Sequence, residues 1–243
     1  MVKFLFAFLL STLVFAQGPR FVKGIELPTG YERIQYANGS YPEYLRGLPL
    51  KSNTEILKYD GKILRSSWIL YDVLAVLDMP LLYQEDLEQC ADFSMRLWSE
   101  YLKSMDSLNQ LALFDYNGNS KLFRESGKSF RSYLRWHMAF SNSYSIKQGA
   151  DVVAADTIQP GDMFVQNTDG GIGHVSVIMD AAVNPEGLKI FLIGFGYMPA
   201  QEFHIETADG EQGVGGWFTL EGYLAFLGGM QFKSYGTPAL MRY

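Results

Sequence analysis

A chain that holds one cysteine, Cys90, among 243 residues cannot cross-link itself, so a packed apolar core has to carry its fold. Hydrophobic residues at 48% and aromatics at 15% supply that core. The length suits one large domain or two small ones, and with no internal repeat or low-complexity linker, one domain is the economical reading.

The cysteine sits in Gln84 to Met105, where Leu87, Cys90, Ala91, Ser94, Trp98, Tyr101, Leu102 and Met105 recur at the spacing of a helix with one buried stripe. Gln84 or its predecessor would cap that helix, with Glu85, Asp86 and Glu88 in its first turn. A thiol near a positive helix end is biased towards thiolate, although three carboxylates oppose this. The other reading of Cys90 is a small hydrophobe on an apolar stripe. Asp92 and Arg96, four apart, read as an exposed surface pair.

The chain opens MVKFLFAFLLSTLVFAQG, a charge at Lys3, an apolar run from Phe4 to Phe15 and small residues before Gln17. This is the pattern of a signal peptide over residues 1–16, too short for the roughly 20 apolar residues that span a bilayer. Residues 17–243 are then an exported protein, periplasmic or extracellular, with no membrane partner after cleavage. No cysteine follows the cleavage site to take a lipid. A free thiol in an oxidising compartment has to be either buried or reactive. With 26 acidic residues against 20 basic ones and no basic run, nucleic acid is excluded as a partner.

In chain order, Ser40 and Glu43 predict a short capped helix ended by Gly47, and Asp60-Gly61 predicts a tight turn. Trp68 to Met79 reads as a buried strand, and Asn117-Gly118 as a hairpin turn between Leu111–Tyr116 and Lys121–Phe123. Ser129 caps a helix over Phe130–Phe140 whose His137 is a surface or core residue. Asp162 of Gln159-Pro160-Gly161-Asp162 caps a turn that feeds a strand. The loop Gly170-Gly171-Ile172-Gly173 delivers His174 to the next strand, and Asn184 to Gly187 turn the chain into a return strand. If Asp180 pairs with Lys189, His174 lies opposite Phe195 with Tyr197 as diagonal neighbour. His204 packs on a strand over Glu202–Glu206, and three scattered histidines with one cysteine lack zinc spacing, so no metal or other cofactor is expected.

A cysteine at a helix start followed by a histidine on an antiparallel strand is the order of nucleophile and base in papain-like hydrolases. The phrase QPGDMFVQ ahead of GGIGHVSVIMD resembles the passage around the histidine in NlpC-type cell-wall amidopeptidases. LPLKSNTEILKYDGK, DLEQCADFSMRLWSEYL, PGDMFVQ with GHVSVIMDAAVN, and GYMPAQEFHI followed by GWF resemble the exported bacterial family called domain of unknown function 4846.

That resemblance implies an α+β fold with a papain-like core, a long helix on an antiparallel sheet of about five or six strands. Residues 81–243 would form the core and 17–80 an N-terminal strand-rich addition. Carried over by position, Cys90 is the candidate nucleophile and His174 the candidate base. Gln84 has the spacing of papain's oxyanion-hole glutamine. The third member departs from the pattern: Phe195 stands where a polar orienter belongs, leaving Tyr197, or Gln201 folding back, to take that role. Asp180 is excluded, since six strand residues put it roughly 20 Å from His174.

Two functional classes fit. One is an exported cysteine hydrolase acting on peptide or amide bonds, with cell-wall stem peptides first. The other is a noncatalytic exported binding domain with a degenerate papain-like site, whose groove uses Gly170, Gly171, Phe195, Tyr197 and Met198. A peptide or peptidoglycan fragment is the expected partner, and the groove of the binding domain would hold an aromatic or peptide ligand. The leader reading is checked by mass spectrometry of protein recovered after export from a bacterial host: the mature N-terminus should be Gln17.

Overall fold

A computed structural model of the chain describes residues 18–64 and 72–243. The leader over residues 1–16 and the first third of the expected strand, Trp68–Tyr71, lie outside the described residues. Among the described residues, no helix is long and apolar enough to cross a membrane.

The architecture is mixed α+β, built on one large antiparallel sheet. Its longest strand is β7 (His174–Val183), and all but one of its ten residues are buried. On one side β7 pairs with β6 (Met163–Gln166), which leads to β12 (Ala239–Arg242) and β5 (Asp151–Val152). On the other side it pairs with β8 (Lys189–Phe195), which carries β11 (Trp217–Phe218) and β10 (Gly213–Val214) near one end and β9 (His204–Glu206) at the other. Two N-terminal strands join the same sheet, β1 (Glu32–Arg33) on β7 and β2 (Val73–Val76) on β9. The sheet thus exceeds the expected five or six strands, and the N-terminal segment is woven into it. A separate hairpin, β3 (Ala112–Phe114) and β4 (Ser120–Leu122), turns at Asn117-Gly118, where Gly118 takes φ +81.

Helices cover both faces. On one face lie α1 (Tyr41–Arg46), α2 (Cys90–Ser104), α3 (Phe130–Phe140) and α4 (Ser143–Gly149). Their Leu45, Phe93, Met95, Leu97, Leu134 and Ile146 pack with Val165, Val175 and Val177 in one core. On the other face α5 (Leu220–Leu227) brings Tyr223 and Leu227 against Phe164, Ile178, Ile193 and Phe195 in a second core. Side-chain caps start three of these helices: Ser129 Oγ accepts from Ser132 N–H, Asn142 Oδ1 from Tyr144 N–H, and Thr219 Oγ1 from Gly222 N–H. Ser40 precedes α1 as expected and Gly47 ends it, but the Ser40 hydroxyl makes no cap bond.

The hairpin of β7 and β8 departs from the expected register. Lys189 pairs with Val183 and Asp180 with Leu192, and a bulge falls between Ile178 and Asp180. The turn at Asn184 is closed by its own bonds, Asn184 N–H to Leu188 O and Gly187 N–H to Asn184 O, which brings the return strand in earlier than a pairing of Asp180 with Lys189 allows.

Asp180 is fully buried and held by Arg46 Nε at 2.5 Å and Arg33 Nε at 2.8 Å. It fastens α1 and β1 to the middle of β7. Asp180→Ala leaves Arg46, only 4% exposed, without its buried anion. Urea unfolding should show a loss of about 3–5 kcal/mol, the range for breaking a buried ion pair by removing one partner.

Candidate functional site

Cys90 is the first helical residue of α2, five residues nearer the helix start than a cap at Gln84 implies. The cap is Gln89, whose N–H donates to Asp92 Oδ2 at 2.8 Å. The helix starts late because Glu88 is drawn inwards: it receives Arg96 Nη1 at 2.5 Å and Leu82 N–H at 2.7 Å. Asp92 and Arg96 are therefore no exposed pair. Both are buried, Asp92 accepting from the Gln89 N–H and Arg96 between Glu88 and Glu100.

The Cys90 sulfur lies 3.9 Å from Gly173 O and is shielded from water. Burial pushes the thiol up to about 11, and the nearby Asp92 charge adds to that, while backbone N–H groups of Val175, Ala91 and Cys90 pull the other way. At neutral pH the group is a thiol.

His174 is on the other side of the sheet. Alternate residues of a strand face opposite ways, and Val175 and Val177 belong to the core beneath α2. His174 instead stands among rings of the α5 side, with centroids 4.4 Å from Phe232, 4.8 Å from Phe195, 5.8 Å from Tyr197 and 6.5 Å from Tyr235. Among the described residues, neither ring nitrogen has a hydrogen-bond partner. Burial, and secondarily the neighbouring His204, lower its pKa to about 3. Alternation thus turns the His174 ring to the face opposite Val175 and Val177, and among the described residues it makes no hydrogen bond to Cys90.

The other expected site residues do not close the gap. Phe195 touches His174 but pairs across the sheet with His204, and Tyr197 Oη lies 2.8 Å from Tyr235 Oη. Neither Tyr197 nor Gln201 bonds to the imidazole. On β8 and just beyond it, the positions that face α2 are Gly194 and Gly196, and a Cβ on Gly196 would lie 2.5 Å from the Phe93 ring. No orienting side chain fits there. Gln84 is exposed and lines a different depression with Leu57, Tyr59, Pro80 and Glu202. His204 lies on β9, 3.3 Å from Glu206 Oε2, and His137 is buried in α3 against Phe114 O. Asp162 caps Gln159 N–H as expected and also pairs with Arg242.

What α2 does border is a cleft of about 490 Å³. Leu87, Gln89 and Cys90 form one wall, Met138 and Ser141 to Ser143 another, and Gly170 to Gly173 with Met198 the rest. Of the residues expected to line a groove, Gly170, Gly171 and Met198 do so, while Phe195 and Tyr197 are not part of its lining. Asn167, which sequence reasoning missed, holds the loop in shape. Its Oδ1 accepts from Gly170 N–H at 2.8 Å, and its Nδ2 donates to Gly171 O and Ser143 Oγ, each at 2.9 Å. Asn142 Nδ2 adds a bond to Gly170 O. Gly173 has no room for a side chain, because a Cβ would lie 2.3 Å from both Gln166 O and Ser143 Oγ. Among the described residues, no group of histidine, cysteine and carboxylate side chains is placed to hold a metal ion.

Two stretches of the chain, residues 22–126 and 115–234, match the family described as Domain of unknown function (4846). Together they run over most of the chain, which belongs to that family. No curated protein and no solved structure matches it.

The buried histidine carries a pH signature. Its folded pKa of about 3 lies below the unfolded value of 6.5, so His174 contributes stability that is whole above pH 6.5 and lost as pH falls towards 3. By pH 5 that loss reaches about 2 kcal/mol, at about 1.4 kcal/mol per unit of pH. His174→Phe should flatten the acid limb of a urea-midpoint profile by that amount while keeping the fold at pH 7.

Proposed function

We propose that the protein, as a member of this family, is an exported binding domain that keeps a papain-like, NlpC-type layout without cysteine hydrolase chemistry. The layout is α2 laid on an antiparallel sheet, with Cys90 at the helix start and a histidine at the start of the neighbouring strand. The observation that carries the reading is the placement of His174 on the far face from Cys90. A base has to reach the thiol proton at about 2.6–3.2 Å or through one water. No rotamer of His174 passes through the sheet, so the thiol has no base and stays protonated.

The ligand is peptide-like, with cell-wall stem peptides first, and it lies in the Cys90 cleft. Leu87, Met138, Ile172 and Met198 offer apolar contact there, and the loop from Gly170 to Gly173 is fixed in advance, which lowers the entropy lost on binding. In this role Cys90 is a small buried group in the cleft wall.

The hydrolase reading keeps two supports, the backbone N–H groups gathered round the Cys90 sulfur and the sequence passage from Pro160 to His174. One measurement separates the two readings: the rate of Cys90 alkylation against pH. The binding reading predicts slow labelling from about pH 5 to 9, unchanged in His174→Ala, since a buried thiol reacts only on opening. It also predicts that a stem-peptide fragment binds intact and still binds Cys90→Ala. Rapid labelling below about pH 7 that disappears in His174→Ala, or peptide release abolished by Cys90→Ala, would establish the hydrolase instead.

A further inference from the structure

A second depression, of about 400 Å³, lies between the β3–β4 hairpin and α3 and shares no lining residue with the Cys90 cleft. Its volume is in the range of small-molecule sites, about 300–1,000 Å³. Tyr133 and His137 line it together with the half-buried Trp136, Lys121 and the exposed Lys128.

His137 gives the depression its polarity. The residue is 1% exposed, and its Nδ1 lies 2.9 Å from Phe114 O. A carbonyl only accepts, so Nδ1 carries the proton and Nε2 is left as an acceptor. Burial lowers the pKa to about 4, which keeps the ring neutral and that lone pair available. Among the described residues no group donates to Nε2, which is not a fully buried atom, so an acceptor that a ligand can reach is left open at a depression large enough to supply a donor.

The remaining groups define the rest of the ligand. Trp136 provides a broad apolar ring, edge-on to His137 at 4.8 Å and beside Phe140 at 5.5 Å. Lys121 is engaged by Asp115 at 3.1 Å and Glu125 faces Arg124 at 3.8 Å, whereas Lys128 has no ion pair among the described residues. We propose that this depression binds a hydroxylated six-membered ring carrying a carboxylate, the ring on Trp136, a hydroxyl donating to His137 Nε2 and the carboxylate against Lys128. A sugar acid and a phenolic acid share that chemistry.

Isothermal titration of the mature protein with glucuronate and 4-hydroxybenzoate, each against its neutral counterpart glucose or phenol, tests it. The expected result is one-site binding of at least one acid, about fivefold tighter than its neutral counterpart, as an exposed charge pair gives. Glucuronate alone binding identifies a sugar acid, and 4-hydroxybenzoate alone a phenolic acid. Lys128→Gln, at an exposed position that the fold does not need, should erase the preference for the acid. Trp136→Ala should weaken binding about tenfold, the scale of one lost aromatic contact. No saturable heat with either acid, or an acid preference that survives Lys128→Gln, would overturn the proposal. Should Trp136→Ala lose its thermal transition, the Lys128→Gln comparison decides alone.

Discussion

The arrangement of this protein turns on the side-chain alternation of β7 and on the bulge that interrupts it. From His174 to Ile178 the strand is regular: Val175 and Val177 face the helices α1 to α4, and His174 and Ile178 face α5. The bulge then breaks the alternation, and Met179 joins the α2 core while Asp180 also meets α1 through Arg46. In an unbroken strand, positions 174 and 180 would share a face. Asp180 is fixed on the α1 side by two arginines, so an unbroken strand would have put His174 on the side of Cys90. One extra residue reverses that, because a shift of one reverses every side chain before it.

The electrostatics follow from which face each group occupies. On the α5 side, burial keeps His174 and His204 neutral and pushes Glu206 up to about 9, so the polar groups there are uncharged members of an aromatic core. On the α2 side two buried carboxyl groups are met by arginines, Glu88 by Arg96, and Asp180 by Arg33 and Arg46. Cys90 falls between these cases. It has helix-end amides that favour an anion and no cation to pair with it, and burial decides the outcome.

Most of what the sequence made legible was local. The α3 helix begins at Ser129 and runs over Phe130–Phe140 as read, and the turns at Asp60-Gly61 and Asn117-Gly118 lie where their glycines need positive φ. The Asn184–Gly187 turn and the end of α1 at Gly47 were equally legible. What could not be read depended on partners far along the chain. Asp180 finds its arginines 147 and 134 residues away. The start of α2 was displaced by Glu88 folding back on Arg96, an arrangement the helical spacing of Leu87, Cys90 and Ala91 does not reveal. The bulge left no mark in the sequence from Val175 to Ala182, where both faces are buried and the polar residues Ser176 and Asp180 are buried along with the apolar ones, so exposure does not fix the parity.

The same burial of both strand faces bears on the binding reading proposed for the Cys90 cleft. A strand buried on both faces tolerates a change of parity, since aromatic and aliphatic side chains pack on either side and only a polar residue registers the difference. His174 registers it, with two ring nitrogens that bond to nothing among the described residues and a ring held by Phe195, Phe232 and Tyr235. The cleft itself does not depend on that strand face. Its walls are the α2 start, the cap of α4 at Asn142 and the loop tied down by Asn167, and the Asn142 and Asn167 side chains that shape it already have their partners. Binding there would require neither of these side chains to abandon a hydrogen bond.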